Sequence, residues 1–357
     1  MKRPFLKSQS HYLLAVTKMI FFGVLLLFLA NFGSSEYVPG EPGSPWTEEE
    51  VLIVKSKLFS VFNYGGAKAA LNQVYDNADE LCAGQFNNGL RIPTAASYLR
   101  LGFHDCLKYE DGSGGCDGCL NWEGVGTIFT EFMDHKYPDI HKSDNNGLAC
   151  TVYLLEHMYS NASFPAFLAP ELKTSLKDSG KSRADLWAFA SIAAVEYGIM
   201  SNNLLCDGKL QENPEAQCTD EMDTEKCKVT LPRKIDFKTG RRDCTEMGEQ
   251  PFISTKHESH PHITGNGDMT IDFFQKDFGM NGKEMIAILG SHTMGRFHRS
   301  TSLFKYTWTT RGESLFNNHY YRYTFFFSYK RYHRSSSFVG ILFENLDMVF
   351  KMMNALR

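Results

Sequence analysis

The sequence lacks several features that mark common classes of protein. It has no block of like charge, and 37 Lys and Arg residues against 41 Asp and Glu residues leave a formal net charge of −4. Nothing in this balance favours a nucleic-acid partner. The chain also lacks an internal repeat of solenoid period, and segments with the alternating pattern of β-strands are few. The scarcity of strand patterns indicates a mainly helical protein. The length of 357 residues suffices for one large domain in two lobes.

The N-terminal apolar run is too short to span a bilayer comfortably. A spanning helix needs about 20 apolar residues, whereas the run MIFFGVLLLFLANF covers residues 19–32 and is separated by Lys18 from the apolar residues before it. Basic residues precede this run and small residues follow it. We therefore predict a secretory signal over residues 1–35, cut near Ser35, rather than an uncleaved anchor. The mature protein is expected to be secreted, or to lie in the secretory lumen, without stable membrane association.

In contrast to the features that the sequence lacks, cysteine is abundant in it. The nine cysteines of the chain would enter an oxidising compartment, where they can pair. Because nine is odd, at least one of them is expected to be free or bonded to another chain. Passage through the secretory lumen would also make Asn161, in the sequence Asn-Ala-Ser, a possible acceptor for a glycan.

Helix signals recur along the chain. Thr47 precedes three glutamates and predicts a helix start, and Pro93 predicts the first turn of a helix that runs to about His104. Ser182 is a candidate N-cap for the apolar segment that follows it. The Gly-rich segment at 111–119 predicts a loop. Two further helical segments follow in the C-terminal half, so the predicted fold class is mainly α.

The segment YLRLGFHDC places Arg100 and His104 four residues apart, on one face of a helix. A guanidinium stays charged at every working pH, and its charge disfavours protonation of a neighbouring imidazole. Such a pair suits a substrate that loses a proton and then develops negative charge, because the imidazole takes the proton and the guanidinium stabilises the anion. Asp105 is expected to point away, toward the Gly-rich loop. The alternative for this common spacing is a pair of salt links to loops.

His292 follows an apolar run in the segment EMIAILGSHTMGRFH. A lone His on a buried helix face is usually a core residue with its hydrogen bonds satisfied. Here Gly290, Ser291 and Gly295 surround it, and such small residues leave room for a large flat group. A neutral imidazole in an apolar pocket is the usual axial ligand of a haem iron.

Two of these segments resemble the signatures of a known family. LRLGFHDC resembles the distal signature, and AILGSHTMGR the proximal signature, of the plant-type haem peroxidase superfamily. That superfamily includes cytochrome c, ascorbate, fungal and secreted plant peroxidases. SRADLWAFASIAAVE, GRRDC and LFNNHYYRY are also similar to the family, so the resemblance extends from about Trp46 to Thr324.

The resemblance implies a two-lobed helical fold with haem b, iron protoporphyrin IX, between a distal and a proximal helix. Within a haem peroxidase domain at 36–324, the distal lobe would cover about 46–200 and the proximal lobe about 201–324. The implied activity is the reduction of hydrogen peroxide with one-electron oxidation of a small organic donor, in response to oxidative stress.

The resemblance also implies a role for each matching residue. His104 would be the distal acid–base group, and Arg100 would stabilise the charge that develops on the departing oxygen. Asn145 would hold the distal imidazole in its productive tautomer. His292 would be the axial ligand of the iron, and His298 would bind a haem propionate.

The positions that the resemblance places near the haem combine features of different branches of the superfamily. Trp308 has the spacing of the tryptophan that lies beneath the proximal imidazole in cytochrome c and ascorbate peroxidases. Phe103, in contrast, matches the distal residue of the secreted fungal and plant enzymes. Thr301 stands where ascorbate peroxidases have the arginine that holds ascorbate, which argues against ascorbate as the donor.

By the same resemblance, Asp105, Gly115 and Asp117 match ligands of a distal calcium, and Thr293 matches a ligand of a proximal calcium. Cys119 replaces a serine ligand of the distal site, and calcium binds thiols poorly.

Cys106 and Cys116 match cysteines that form a disulfide in secreted plant enzymes. This bond would close the Gly-rich loop with or without calcium.

The similarity fades over residues 325–357, which predicts a divergent or truncated C-terminus. This region lacks the family segment that supplies the aspartate partner of the proximal imidazole. Asp347 is the candidate for that role. Without such a partner, the enzyme would be slow or inactive.

Two alternatives remain open. One is a catalytically weak haem-binding protein with a peroxidase-like fold. The other is a secreted zinc module with ligands from Cys116, Cys119, Cys106 and His104, although a secreted chain favours disulfides over thiolate sites. The segment HESHPH at 257–262 is a further, adventitious metal-binding candidate.

Overall fold

The computed structural model describes residues 38–74, 92–107, 115–121, 145, 147–167, 171–207, 237–245, 253–254, 267–296, 309, 314–317 and 319–321. The predicted signal over 1–35 and the divergent segment 325–357 lie outside these residues, as do His298, Thr301, Trp308 and Asp347. The domain and lobe boundaries therefore stay predictions.

The described part of the chain is mainly helical, as the sequence predicts. Its helices are α1 (Glu48–Val61), α2 (Tyr64–Val74), α3 (Ala95–Asp105), α4 (Ala149–Ser160), α5 (Arg183–Cys206), α6 (Gly267–Phe278) and α7 (Gly282–Leu289), and a 3₁₀ turn at Gly290–Thr293 extends α7. Two short strands, β1 (Leu120–Asn121) and β2 (Ile253–Ser254), pair in parallel. No helix in the described ranges is both long and apolar enough to cross a membrane.

Helix starts follow the local signals of the sequence. Thr47 Oγ1 accepts a hydrogen bond from Glu50 N (3.2 Å), and Glu50 Oε2 accepts one from Thr47 N (2.7 Å). This capping box satisfies backbone donors that have no partner within the helix. Ser182 caps α5 in a similar way, because its Oγ accepts from Asp185 N at 3.1 Å. These two predicted starts are confirmed. The prediction that Pro93 lies in a first turn is wrong, because α3 begins at Ala95 with Thr94 as its N-cap, which leaves Pro93 just before the helix.

The long helix α5 forms the centre of the core. Its N-terminal third, from Arg183 to Ala190, is buried on all sides, and a helix surrounded by protein needs no polar face. Helix α3 packs closely against it, since a Cβ at Gly102 would lie only 2.3 Å from Ser191 Cβ. Glycine at 102 therefore lets the helix with Arg100 and His104 approach α5.

A second, smaller apolar cluster joins α6 and α7. Phe274 and Met285 are buried at its centre, and Phe103 of α3 packs against it. Helix α7 begins at a capping box between Asn281 and Glu284 and leads directly into the 3₁₀ turn with His292. The fold thus carries the two predicted histidines on separate packed elements, α3 and the end of α7.

Candidate active site

His104 lies in the last turn of α3 and contacts the fully buried Asn145. The distance between His104 Nδ1 and Asn145 Oδ1 is 2.7 Å. Because an amide oxygen only accepts hydrogen bonds, the ring nitrogen that faces it carries the proton. The neutral ring then has its lone pair at Nε2. Two residues that are 41 positions apart in the sequence thus hold a base in one tautomer.

Arg100 lies one turn before His104 on the same side of α3. Its side chain is exposed, whereas that of His104 is half-buried. A permanently charged guanidinium and the imidazole of His104 therefore share one helix face, as the i, i+4 spacing predicts.

Phe103 connects this face with α6. Its ring centroid lies 6.1 Å from that of His104, 6.3 Å from that of Phe274 and 6.5 Å from that of Phe278. Aromatic contacts in this range restrict ring orientation. The packing of Phe103 against α6 therefore helps to fix how α3 is rotated relative to α6, and with it the direction of the helix face that carries His104.

His292 lies in the 3₁₀ turn, where its Nδ1 is 3.0 Å from the carbonyl oxygen of Leu289. Burial lowers the pKa of this imidazole, so the neutral form is favoured. A neutral ring that donates from Nδ1 to a carbonyl has its lone pair at Nε2, and this is the form that binds a metal. On this observation His292 fits the role of a haem ligand.

Tyr320 is a site residue for which the sequence predicts no role. Its ring stacks on that of His292, with centroids 5.4 Å apart and an angle of 29° between the planes. Burial raises the pKa of the Tyr320 phenol, so the ring stays neutral. The similarity of LFNNHYYRY to the family was the available signal, but stacking across 28 positions has no local sequence pattern.

Thr293, next to His292, connects the 3₁₀ turn with the segment that carries Tyr320. Its hydroxyl donates to Asn317 O at 2.9 Å and accepts from Tyr320 N at 3.2 Å. Asn317 Nδ2 in turn donates to Asn202 Oδ1 of α5 at 2.9 Å. This network fixes the backbone around His292. The role of Thr293 as a calcium ligand stays a prediction.

Asp105 faces the loop after α3, as predicted, and is buried there. Its Oδ1 accepts hydrogen bonds from Gly118 N (2.7 Å) and Cys119 N (3.2 Å). Its Oδ2 is buried and has no hydrogen-bond partner among the described residues. Burial, followed by the nearby charge of Asp117, raises the pKa of this carboxyl well above its usual value.

The carboxylate oxygens of Asp105 and Asp117 fit a hard cation. Such a cation would relieve the repulsion between the two carboxylates and would give Asp105 Oδ2 a partner. Gly115, whose carbonyl is the third predicted ligand, has a positive φ of 98°, which its lack of a side chain permits. The described ranges contain no group of three or more His, Cys, Asp or Glu side chains arranged for a metal. Calcium at this loop therefore stays a prediction.

Disulfides close this region. Cys106 is bonded to Cys116, which confirms the predicted pair, and Cys119 is bonded to Cys244. The zinc alternative is therefore wrong, because the sulfurs of Cys106, Cys116 and Cys119 are all in disulfides and offer no thiolate. Cys150 and Cys206 are also disulfide-bonded.

Asp243, next to Cys244, caps α5. Its two carboxylate oxygens accept from Arg183 N (3.0 Å) and Ala184 N (2.8 Å). The bond between Cys119 and Cys244 thus ties the loop of Asp105 to the start of the central helix. The segment GRRDC shows family similarity in the sequence, but nothing there indicates a cap on a helix about 60 residues earlier.

Comparison with known proteins agrees with this geometry. A 93-residue segment is 29% identical to the cytosolic L-ascorbate peroxidase 2 of Oryza sativa subsp. japonica, and covers 26% of this chain and 34% of that protein. A 94-residue segment is 31% identical to the cytosolic L-ascorbate peroxidase 2 of Arabidopsis thaliana, with the same coverage of 26% and 34%. The chain thus spans about a third of the length of these curated relatives.

A family model described as Peroxidase matches residues 83–324. This match covers more than half of the chain and includes Arg100, His104, Asn145 and His292. The protein therefore belongs to the peroxidase family, that of the plant-type haem peroxidases.

Proposed function

We propose that this protein is a secreted haem peroxidase that reduces hydrogen peroxide with electrons from a small organic donor, in response to oxidative stress. The observation that carries the proposal is the 2.7 Å contact between His104 and Asn145, which leaves the Nε2 lone pair of His104 as a base. The neutral His292 on a second element supports it, since its Nε2 suits an iron.

In the proposed reaction, each residue of the site would have a separate role. His292 would bind the iron of haem b, with Phe103 near the distal side of the group. A bound haem would supply the two electrons that break the O–O bond. His104 Nε2 would take a proton from one peroxide oxygen and give it to the other, which departs as water. Arg100 would stabilise negative charge on the departing oxygen.

The donor is proposed only as a small organic molecule. The relatives are named ascorbate peroxidases, whereas Thr301 replaces the arginine that the resemblance associates with ascorbate. Assays of one preparation with ascorbate, phenols and cytochrome c would separate these donors.

We also propose calcium at Asp105, Asp117 and Gly115. The buried Asp105 Oδ2, which has no hydrogen-bond partner in the part of the chain that the structure describes, supports it. If calcium binds, the melting temperature should rise with calcium concentration, and Asp105→Asn should remove most of this rise. A melting temperature that calcium leaves unchanged would contradict the site.

Secretion is supported by the disulfides of the described residues, since such bonds persist mainly in oxidising compartments.

The decisive experiment for the peroxidase proposal is rapid mixing of the haem-loaded protein with hydrogen peroxide. His104→Leu should slow the spectral change by about 10²–10⁴-fold, because it removes the proton carrier. His157→Gln is a matched control, since His157 lies in α4 and its ring packs against Tyr153 and Phe164. An unchanged rate in His104→Leu would overturn the assignment of the base.

A haem-binding protein of low activity is the second candidate. It is favoured by the contact between His292 Nδ1 and the carbonyl oxygen of Leu289. A neutral carbonyl makes an imidazole less basic than a carboxylate does. Slow reaction with peroxide in both the natural protein and His104→Leu would indicate this candidate.

A further inference from the structure

The turn after α4 carries a group that the proposed chemistry does not use. Asn161 begins the sequence Asn161-Ala162-Ser163, and no other Asn in the 357 residues is followed two positions later by Ser or Thr. Its backbone N–H donates to His157 O (3.0 Å), and its carbonyl accepts from Phe164 N (3.2 Å). Asn161 therefore occupies the first position of a tight turn, a position where Asn is favoured.

The side chain of Asn161 is open to a substituent. The residue is exposed, and its Oδ1 accepts a hydrogen bond from Ser163 N at 3.0 Å. Its amide nitrogen Nδ2 makes no hydrogen bond with the described residues. A group attached at Nδ2 would therefore extend into solvent and would leave the hydrogen bonds of the turn intact.

The other side of the turn is anchored in the protein. Lys57 Nζ donates to Ala162 O (2.5 Å) and to Phe164 O (2.7 Å), and Lys57 is only 2% exposed. Because these contacts go through backbone carbonyls, they do not involve the side chain of Asn161. The fold thus presents Asn161 outward from a fixed turn.

The chemistry of the chain agrees with a route through the secretory lumen. The disulfides of Cys106 with Cys116 and of Cys119 with Cys244 are typical of proteins in an oxidising compartment. In eukaryotic cells this is also the compartment where Asn-x-Ser sequences receive glycans. This step depends on the secretion included in the proposed function, but not on haem or on peroxide.

We propose that Asn161 is the attachment site of an N-linked glycan. In the transfer, Nδ2 forms a bond with the anomeric carbon of a lipid-linked oligosaccharide. The bond between that carbon and the lipid pyrophosphate breaks, and Nδ2 loses one proton. The glycan then makes the surface at the end of α4 bulky and hydrophilic, so that face stays in solvent.

The test is expression of the full chain in a eukaryotic secretory host, followed by gel mobility with and without a peptide N-glycosidase. The enzyme should increase the mobility of the natural protein and convert Asn161 to Asp, which peptide mass spectrometry detects. Since the sequence is unique in the chain, Asn161→Gln should remove the whole mobility shift. Ser163→Ala should also remove it while keeping Asn161, and Ser163→Thr should retain it.

An unmodified Asn161 in protein recovered from the medium would overturn the inference, as would a shift that persists in Asn161→Gln. A chain that never enters the lumen would overturn it too. These failures are distinguishable from failure of the peroxidase proposal. A secreted, active and unglycosylated protein contradicts the glycan alone, and a glycosylated protein that is inert to peroxide contradicts the peroxidase alone.

Discussion

Among single residues, Asn145 acts on the proposed chemistry through the base that it holds, His104. It is buried and holds His104 through one 2.7 Å contact. Asn145→Ala should lower kcat/KM for peroxide by about 10–100-fold, the usual effect of losing a partner that orients a functional imidazole. Haem binding should be unchanged. Stopped-flow kinetics over a pH range would measure both the rate and the pKa of the distal base.

Asn145→Asp is the informative control. A carboxylate keeps the acceptor but favours the imidazolium, so the rate should fall mainly at lower pH, where the base becomes protonated. If Asn145→Ala and Asn145→Asp both matched the natural protein, the contact would have no part in proton transfer.

His157 allows a prediction about pH. Burial lowers the pKa of this imidazole in the folded protein, and the charge of Glu156 opposes that effect only in part. The folded state therefore binds a proton less readily than the unfolded state, whose His pKa is about 6.5. Stability from the neutral ring is present above that pH and is lost as the pH falls below it.

Chemical denaturation at several pH values between about 5 and 8 would test this point, since the unfolded His titrates near 6.5 in that range. The free energy of unfolding should fall toward the acid end, and His157→Gln should reduce the slope. An identical slope in the variant would mean that other groups cause the dependence.

At the scale of single residues, the sequence predicts much of the site. The i, i+4 spacing places Arg100 and His104 on one face, and the family resemblance indicated Asn145 and His292. Tyr320 had no assigned role, because its contact with His292 depends on how two distant segments pack. Asp105 Oδ2 is likewise buried without a hydrogen-bond partner among the described residues, and the sequence contains no signal for this burial.

At the scale of elements, the start of α5 illustrates both local and distant control. Ser182 caps it from the preceding position, as predicted, whereas Asp243 caps it from about 60 residues away. Local capping rules predict the first contact and contain no information about the second. For the same reason, the sequence predicted the starts of α1 and α5 but not the packing of Gly102 against Ser191.

Asp243 should matter for the stability of this helix start. Asp243→Ala would leave the buried N–H groups of Arg183 and Ala184 without acceptors, and should lower the free energy of unfolding by about 2 kcal/mol. Asp243→Asn keeps one side-chain acceptor and should lose less. Urea denaturation measures both, and equal losses in the two variants would argue against the capping account.

At the scale of the whole molecule, the two disulfides whose cysteines both lie in the described ranges differ in the length of chain that they close. Cys119 and Cys244 are 125 residues apart in sequence, whereas Cys106 and Cys116 are 10 apart. Cross-links of longer loops remove more entropy from the unfolded chain. Replacing Cys119 and Cys244 by Ala should therefore lower stability by about 2–4 kcal/mol, a larger loss than for the Cys106 and Cys116 pair.

Thermal and denaturant unfolding of the two double-alanine variants would give this order. A larger loss from the shorter loop would show that local strain or packing dominates over chain entropy. The pairing of Cys106 with Cys116 was expected from the resemblance. The bond between Cys119 and Cys244 was not, because no sequence pattern brings two segments so far apart together.

The whole account depends on a haem bound through His292 on the side opposite His104. The most direct test is a titration of the purified protein with haem, followed by absorption spectroscopy, for the natural sequence and for His292→Ala. We expect the natural protein to take up one haem with the intense blue-region band of a histidine-ligated iron, and His292→Ala to lose that band or shift it. A natural protein that stays colourless, or a His292→Ala spectrum identical to the natural one, would contradict the account.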